Sequence, residues 1–182
     1  MKKENKKTLL FLARKSITDY FRKINTVADE EDRELLIKSG CFVTLKINGD
    51  LRGCIGYIEG VEPVKDAVIR MAREAAFNDP RFPSLSESEL DKIEIEISIL
   101  TPLERVSDTN DIQVPGDGIF IRKNFNSGLL LPQVAEEWGY NREQFLAQTC
   151  IKAGLDRKCH ISPDVKIYKF KADIFSEKEL NG

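Results

Sequence analysis

Apolar residues recur every three or four positions in several segments of this chain, the spacing of one face of an α-helix. The apolar stripe of a first amphipathic helix comprises Leu10, Ala13, Ile17, Phe21 and Ile24. The same spacing, with helix-start and helix-stop residues, predicts further helices at 29–39, 63–77, 132–138 and 141–154. In the first of these we expect Leu35, Leu36 and Ile37 to turn inward and Gly40 to form the C-cap.

Apolar and polar residues alternate elsewhere with a period of two, which predicts β-strands. Residues 93–99 show this most clearly, because one face is isoleucine and the other is polar. The β-rich stretch 41–47 runs into Asn48-Gly49, a strong hairpin signal, so the return strand should end near residue 58. Further strands are expected at 119–122 and 165–175, and residues 129–131 form a separate apolar run. Since strands and helices mix without a strand-helix-strand repeat, we predict an α+β fold with a mainly antiparallel sheet and flanking helices.

Composition places this chain of 182 residues among ordinary globular proteins of one domain or two small lobes. Its 28 Lys and Arg against 30 Asp and Glu give no overall basic field, so nucleic-acid binding would need a local patch. One candidate is the run 166–171, in which lysines alternate with aromatic residues. Lysines on an edge strand, where they discourage unwanted pairing, explain that run as readily. Trp138 is interpreted as a packing residue.

The basic N-terminus precedes an apolar run that is too short for a signal peptide, and charges resume at Arg14 and Lys15. No stretch is apolar enough to span a membrane, so we expect a cytoplasmic protein without a membrane partner. The four cysteines contain no Cys-x-x-Cys pair, and a chain of this size does not need disulfide bonds. We therefore expect four free thiols.

The hexapeptide Leu51–Gly56, with the sequence LRGCIG, combines a cation, a thiol and two glycines in the predicted return strand. Glycine within a strand marks a bulge or a close approach by a ligand or another backbone, here at Gly53 and Gly56. Alternation places Arg52 and Cys54 on one face, where the guanidinium favours a reactive thiolate. The alternative is that Cys54 is a small buried apolar residue. The usual base is missing nearby, because the only histidine lies near the C-terminus.

Arg52 and Arg81 are candidate anchors for an anionic ligand, with the backbone amides at Gly53 and Gly56 exposed toward it. The second arginine belongs to the stiff loop 79–83, in which two prolines exclude a helix. Asp79, in the same loop, completes the candidate binding residues. The alternative is that either arginine pairs with a nearby acid such as Asp79 or Glu74 and fixes the loop.

Metal binding and cofactor use have little support in the sequence. Cys54, Cys159 and His160 do not match a recognised ligand spacing, so no metal site is predicted. Nothing in the sequence identifies a cofactor.

Several separate motifs occur in an order that resembles the AMMECR domain family, over about residues 10–175. They are Leu51–Gly56, Asp79–Phe82, the strand 93–100 leading into Thr101-Pro102, the segment 129–135 and Lys152–Leu155. The resemblance implies a single domain over residues 1–182, in two unequal lobes with a cleft between them, the larger lobe built from both chain ends. It also implies a cytoplasmic protein whose relatives are associated with a Memo-type protein and a radical S-adenosylmethionine enzyme.

The family resemblance does not supply an established reaction. The chain also departs from the family pattern, with Asp117-Gly118 where members often carry His-Gly and Cys159-His160 where a tryptophan is common. A role assigned to that family histidine therefore does not transfer to this chain.

We predict an enzyme or enzyme subunit whose cleft is floored by residues 51–58 and rimmed by the loop 79–83. It would bind a small or nucleotide-like anionic substrate, with Cys54 as the reactive thiol and Arg52 and Arg81 as anchors. The alternative is a non-catalytic interaction module that grips RNA, a peptide, or the Memo-type or radical S-adenosylmethionine partner. Rapid, selective alkylation of Cys54 would favour the enzyme.

Overall fold

A computed structural model describes residues 1–181 of the chain. The helices are α1 (Lys3–Phe21), α2 (Arg33–Leu36), α3 (Val64–Phe77), α4 (Pro132–Trp138), α5 (Arg142–Lys152) and α6 (Glu177–Asn181). The strands are β1 (Cys41–Ile47), β2 (Asp50–Tyr57), β3 (Ile93–Leu100), β4 (Glu104–Val106), β5 (Gly118–Lys123), β6 (Asn126–Leu130), β7 (Lys166–Phe170) and β8 (Ala172–Ser176). Within the described residues, no helix combines the length and the apolar character needed to cross a membrane.

The chain divides into two compact units. The first comprises Met1–Leu100 with the C-terminal segment from Asp173, and the second comprises Thr101–Ala172. The first unit contains a sheet in the order β2-β1-β3-β8, and the second contains a sheet in the order β4-β7-β5-β6. The predicted α+β class is confirmed, with the strands distributed over two sheets and antiparallel pairing in both.

The core of the first unit forms where one face of the sheet meets α1 and α3. The isoleucines predicted to share a face of β3 are buried, with Ile95 and Ile97 fully so, and they join one hydrophobic cluster with Leu9 and Ile17 of α1. The apolar stripe of α3 is buried in the same cluster. Burying these side chains removes apolar surface from water, which stabilises the fold by about 25 cal/mol for each Å² buried.

The β1–β2 hairpin turns at the predicted residues. Asn48 and Gly49 both have positive φ, 54° and 88°, as the tightest hairpin turns require. The register shifts by one residue near the turn, where Leu45 pairs with Gly53 but Lys46 pairs with Leu51. Arg52 is the extra residue of this irregularity, beside the site described below.

The second unit has its own core, in which Phe145 of α5 is fully buried beside the inward residues of β5. Helix α5 begins with the predicted capping box, because Asn141 and Gln144 each bind the other's backbone N–H. The prediction of four free thiols is wrong for Cys150 and Cys159, which form a disulfide bond. Local sequence could not indicate this pair, because the chain after α5 folds back to bring the two sulfurs together.

The predicted helix 29–39 is reduced to the four residues of α2. Leu35 is buried as expected, but Leu36 and Ile37 are 43% and 47% exposed, so their predicted inward orientation is wrong. The helix ends because Ile37 is extended and its carbonyl accepts a hydrogen bond from Val64 N–H. Gly40 is not a C-cap, since its carbonyl accepts from Leu100 N–H.

The closing segment 165–175 is not one strand. It divides into β7 and β8, which belong to different sheets, and β7 lies between β4 and β5. The interpretation of its lysines as guards of an edge strand is therefore wrong. Two further predictions are wrong. Ile24, expected in the apolar stripe of the first helix, lies beyond α1 and is 50% exposed. Trp138, interpreted as a packing residue, is 69% exposed and stacks on Tyr140.

Candidate functional site

The candidate site lies on the face of the first sheet that points away from α3. Gly53 faces α3 so closely that a Cβ atom there would overlap the carbonyl oxygen of Ala75. Because side chains alternate along a strand, Cys54 lies on the opposite face, whereas Arg52 interrupts the alternation and pairs with no residue of β1. We call this opposite surface the polar face; it carries Phe42, Thr44 and Lys46 of β1, Cys54 of β2, and Glu94, Glu96 and Ser98 of β3.

The thiol of Cys54 is partly exposed and faces the neighbouring strand. Cys54 pairs with Thr44, and the Thr44 hydroxyl donates a hydrogen bond to Cys54 Sγ at 3.3 Å. Thr44 itself is 6% exposed. A hydroxyl donor of this kind stabilises negative charge on sulfur more than it stabilises the neutral thiol.

Asp79 and Arg81 hold the backbone of Cys54 from outside the sheet. The N–H of Cys54 donates to Asp79 Oδ2 at 2.8 Å, and the carbonyl of Cys54 accepts from Arg81 Nη2 at 3.1 Å. Strand β2 is an edge strand, so these two groups would otherwise be left unpaired. We call this arrangement the Asp79–Arg81 clamp.

The clamp is an ion pair with a buried carboxylate. Arg81 donates to Asp79 from Nε at 3.0 Å and from Nη2 at 2.7 Å, and the Asp79 side chain is 1% exposed. The hydrogen bond from Arg81, aided by the Cys54 and Arg81 backbone amides, lowers the pKa of Asp79 from 3.8 to about 2, although burial opposes this shift. The same hydrogen bond raises the pKa of Arg81.

Arg52 is held in a similar way by Glu89. Arg52 donates to the two carboxylate oxygens from Nε at 2.8 Å and from Nη2 at 3.2 Å. Glu89 also completes the predicted capping box with Ser86. The hydrogen bond from Arg52, followed by that from Ser86 N–H, lowers the pKa of Glu89 from 4.5 to about 2. Arg52 Nη1 is buried and has no hydrogen-bond partner among the described residues.

A single aromatic ring lies beside both arginines. The guanidinium carbons of Arg52 and Arg81 are 6.0 Å and 5.5 Å from the centroid of Phe82. Phe82 is half-buried and belongs to the same loop as the clamp. The ring therefore offers a flat apolar surface next to two cations.

This geometry can be compared with known proteins. The family model AMMECR1 matches residues 10–175 of the chain. The chain belongs to the AMMECR1 family.

Relatives of this AMMECR1-family protein occur across the archaea. A protein from Thermococcus onnurineus is 46% identical over 96% of this chain and 91% of its own length. One from Methanothermobacter thermautotrophicus is 40% identical over 97% and 96%. The fold matches the crystal structure of the uncharacterized protein PH0010 from Pyrococcus horikoshii with a TM-score of 0.89, at 41% identity over 96% of this chain and 92% of that one.

The two glycines of the AMMECR1 hexapeptide are both explained by contacts within the protein. Gly53 admits the backbone of α3, as described above. At Gly56 a Cβ atom would overlap the Phe42 ring and the Cys41 carbonyl oxygen. The atoms that approach these positions closely therefore belong to the protein itself.

The other cysteines of this AMMECR1-family protein are poorly suited to thiol chemistry. Cys41 is fully buried, and burial raises the pKa of its thiol from 9.0 to about 12. Cys150 and Cys159 are joined in the disulfide bond, and the ring of His160 lies 3.9 Å from Cys150 Sγ. Among the described residues, Cys54 is thus the one cysteine that carries a partly exposed thiol.

The sequence of this AMMECR1 chain did not reveal four contributors to the site: Thr44, Glu89, and the pair Lys46 and Glu96. Thr44 was part of a predicted strand, but its contact with Cys54 depends on the register of the hairpin. Glu89 was visible as half of a capping box, without any sign that it binds Arg52. Lys46 and Glu96 form an ion pair at 3.0 Å on the polar face. The alternation along β1 and β3 was the one sequence signal that places both side chains on this face.

No metal centre is apparent in the part of this AMMECR1 chain that the structure describes. That part contains no group of three or more His, Cys, Asp and Glu side chains placed to hold a metal ion. Cys159, one of the residues weighed for such a role, is committed to the disulfide bond.

Proposed function

We propose that this AMMECR1-family protein is an enzyme, or a subunit of one, that uses Cys54 as a nucleophile on a small anionic substrate. The observation that carries the proposal is the Asp79–Arg81 clamp, which binds both backbone polar groups of Cys54. A clamp of this kind orients one thiol on an otherwise ordinary edge strand. Preorganised groups of this sort are what nucleophilic catalysis requires.

The guanidinium of Arg81 offers a place for the anionic group of the substrate. Its Nε and Nη2 donate to Asp79, and Nη2 also donates to the carbonyl of Cys54. The side chain is 52% exposed, so a carboxylate or phosphate oxygen can reach the guanidinium. The neighbouring Phe82 ring suits a flat apolar portion such as a nucleobase, which agrees with a nucleotide-like substrate.

The chemical step that we propose is attack by sulfur on an electrophilic carbon of the substrate. The Sγ–carbon bond forms while the bond to the leaving group breaks, and the leaving group departs with the proton of the thiol. The Thr44 hydroxyl stabilises the developing thiolate. We propose the cytoplasm as the place where the protein acts; the step requires Cys54 as a free thiol, whereas Cys150 and Cys159 of the second unit are joined in the disulfide bond and take no part in it.

The experiment that tests this proposal is alkylation of the native protein with iodoacetamide at neutral pH, followed residue by residue with mass spectrometry. Cys54 should react at least about tenfold faster than a cysteine in an unstructured peptide, because a thiolate reacts where a thiol does not. Cys41 should remain unlabelled, since it is fully buried and its pKa is about 12. It therefore serves as an internal control.

Two variants connect the labelling rate to the geometry. Thr44→Val removes the hydroxyl donor with little change in volume, and it should slow the labelling of Cys54 by about threefold or more, the loss expected for one hydrogen bond. Thr8→Val, a matched change in α1, should leave the rate unaltered. A Cys54 rate no greater than that of the peptide thiol would reject the nucleophile.

The second candidate function is a non-catalytic interaction module for RNA, a peptide, or a Memo-type or radical S-adenosylmethionine partner. The observation that favours it is the pairing of both arginines, which leaves Arg52, Arg81, Asp79 and Glu89 with no net charge. Slow labelling of Cys54, with a partner complex that survives Cys54→Ser, would support the module.

A further inference from the structure

A groove runs along one side of α1 in the first unit, separate from the polar face. It encloses about 510 Å³. Its lining follows the helix at Lys7, Phe11, Arg14, Thr18 and Arg22, and Leu180 of α6 contributes from the other side. We call it the α1 groove.

The α1 groove exposes apolar surface that the fold does not cover. Phe11 is 62% exposed, although it lies in the middle of a 19-residue helix with many polar positions available. Leu10, which is buried, and Leu180, which is half-buried, extend the apolar surface beside it. An exposed aromatic side chain within a concave apolar site is typical of an interaction surface.

The accessible charges of the α1 groove are positive. Lys7 and Arg22 are exposed, and Lys15 is 40% exposed. Of the two carboxylates in the lining, Asp19 is buried and Glu177 is partly buried, and both are already committed. Glu177 accepts from Arg14 Nη2 at 2.6 Å and from Ile95 N–H at 2.9 Å.

Asp19, the other carboxylate of the lining, binds Lys15 and accepts from the Thr26 hydroxyl at 2.8 Å. A partner would therefore meet cations around an apolar centre. Since the whole chain has a net charge of −2, this positive surface is a local feature.

We propose that the α1 groove docks an acidic amphipathic helix of a partner protein. The groove follows α1 from Lys7 to Arg22, about 22 Å at 1.5 Å per residue, which matches a docked helix of about four turns. The apolar face of such a helix would cover Phe11 and Leu180, and its carboxylates would pair with Lys7 and Arg22. Charge complementarity of this kind determines partner choice and association rate.

A membrane fits the surface less well. The apolar surface is concave and is dominated by one aromatic side chain, whereas a helix that lies in a bilayer exposes a continuous apolar face. The net negative charge of the chain also opposes binding to anionic lipid. A protein helix suits both the concave shape and the local positive charge.

The test uses a synthetic helical peptide of about 15 residues, with leucines at one face and glutamates on the others, labelled with a fluorophore. Binding to the intact protein is measured by fluorescence anisotropy. We expect a dissociation constant in the micromolar range, which weakens about tenfold or more when the salt concentration is raised to 0.5 M. A peptide with the same composition but scrambled leucines should bind at least about tenfold more weakly.

The variants identify the groove as the binding site. Phe11→Ala should weaken binding about tenfold, the loss expected for a buried aromatic contact. Lys7→Glu combined with Arg22→Glu should weaken it by a similar factor. Lys3→Glu, on the same helix but outside the lining, and Phe125→Ala, at the fully exposed turn after β5, should have no effect. The replaced side chains are exposed, so circular dichroism should show every variant folded.

Four results would overturn the proposal. They are absence of peptide binding at millimolar concentration, equal binding by the scrambled peptide, equal binding by all the variants, and Phe11-dependent binding to vesicles of anionic lipid in place of the peptide. A fifth result would overturn it as well: self-association that Phe11→Ala abolishes, and that the peptide does not inhibit, would assign the groove to a second copy of this chain. None of these results affects the labelling of Cys54, so the two proposals fail independently.

Discussion

Two neighbouring residues of β2, Gly53 and Cys54, face opposite sides of the sheet and have different roles. Gly53 is a packing residue, because α3 lies so close that only a hydrogen atom fits in place of a side chain. Cys54, one position later, presents its thiol to Thr44 on the polar face. The short period of a strand therefore allows one hexapeptide to serve both the core and the candidate site.

The role of Gly53 is tested by Gly53→Ala. The new Cβ would overlap the Ala75 carbonyl oxygen, a backbone atom that moves only if α3 moves. We expect the free energy of unfolding to fall by about 3 kcal/mol, near the upper end of the usual cost of overpacking. Urea denaturation measures the change, and Cys54→Ala in the same strand is the control with a small effect. A loss below about 0.5 kcal/mol would contradict this packing.

The buried carboxylate of the clamp makes stability depend on pH. The pKa of Asp79 is about 2 in the folded protein and 3.8 ordinarily, so the unfolded chain takes up the proton first as the pH falls. The contribution of Asp79 is thus complete above about pH 5 and is lost as the pH falls toward 2. Glu89, whose pKa falls from 4.5 to about 2, acts in the same direction.

We expect Asp79→Asn to lower the free energy of unfolding at pH 7 by about 1–3 kcal/mol, because a hydrogen bond to a charged group is replaced by weaker neutral ones. The variant should also lose less stability than the natural protein between pH 5 and pH 2. Urea denaturation at a series of pH values measures both effects. If the two proteins showed parallel pH profiles, the clamp would not hold Asp79 ionised.

At the scale of elements, β2 is an exposed edge that the loop 79–83 protects. Asp79 and Arg81 take the place of a neighbouring strand at Cys54, while Glu89 of the next turn restrains Arg52. In the second unit, the disulfide bond plays a comparable part, because it ties the end of α5 to the short 3₁₀ turn that begins at Cys159. In each unit, a contact between residues distant in sequence holds the exposed part of an element: the Asp79–Arg81 clamp holds the edge of β2, and the disulfide bond holds the end of α5.

The disulfide bond is tested with Cys150→Ala and Cys159→Ala together. The bond closes a loop with a sequence separation of 9, and the loss of this constraint on the unfolded chain should cost about 2–3 kcal/mol. Thermal unfolding of the second unit, with and without a dithiol reductant, measures the loss. The reductant should lower the melting temperature of the natural protein and leave the variant unchanged. Equal responses of the two proteins would show that the bond does not contribute to stability.

At the scale of the whole molecule, each compact unit contains its own hydrophobic cluster. The larger cluster belongs to the first unit, which both chain ends help to build, and the smaller cluster belongs to the second. We propose that the chain is one AMMECR-type domain with two subdomains. Separate cores are the usual basis for separate unfolding.

We therefore expect two transitions in differential scanning calorimetry, because each core can melt on its own. Cys150→Ala with Cys159→Ala should shift one transition, that of the second unit, and Gly53→Ala should shift the other. The chain would instead unfold as one unit if both variants shifted the same single transition and its calorimetric and van't Hoff enthalpies agreed.

The fold was predictable where local interactions decide it. The hairpin turn at Asn48-Gly49, the isoleucine face of β3 and the capping boxes at Ser86 and Asn141 depend on residues close in sequence. The short α2 was not predictable, because its helical pattern yields to a backbone hydrogen bond from Val64. The division of 165–175 between two sheets likewise depends on partners far away in the chain.

The sequence by itself determined the antiparallel α+β class and the presence of Arg52 and Cys54 in one hairpin strand, since both follow from residue periods and the Asn48-Gly49 turn signal. Only the tertiary structure decided what those side chains bind. The clamp from Asp79 and Arg81, the pairing of Arg52 with Glu89 and the Cys150–Cys159 bond all join residues that loops bring together. The physical reason is that periodicity orients a side chain, whereas the whole fold selects the atoms that it meets.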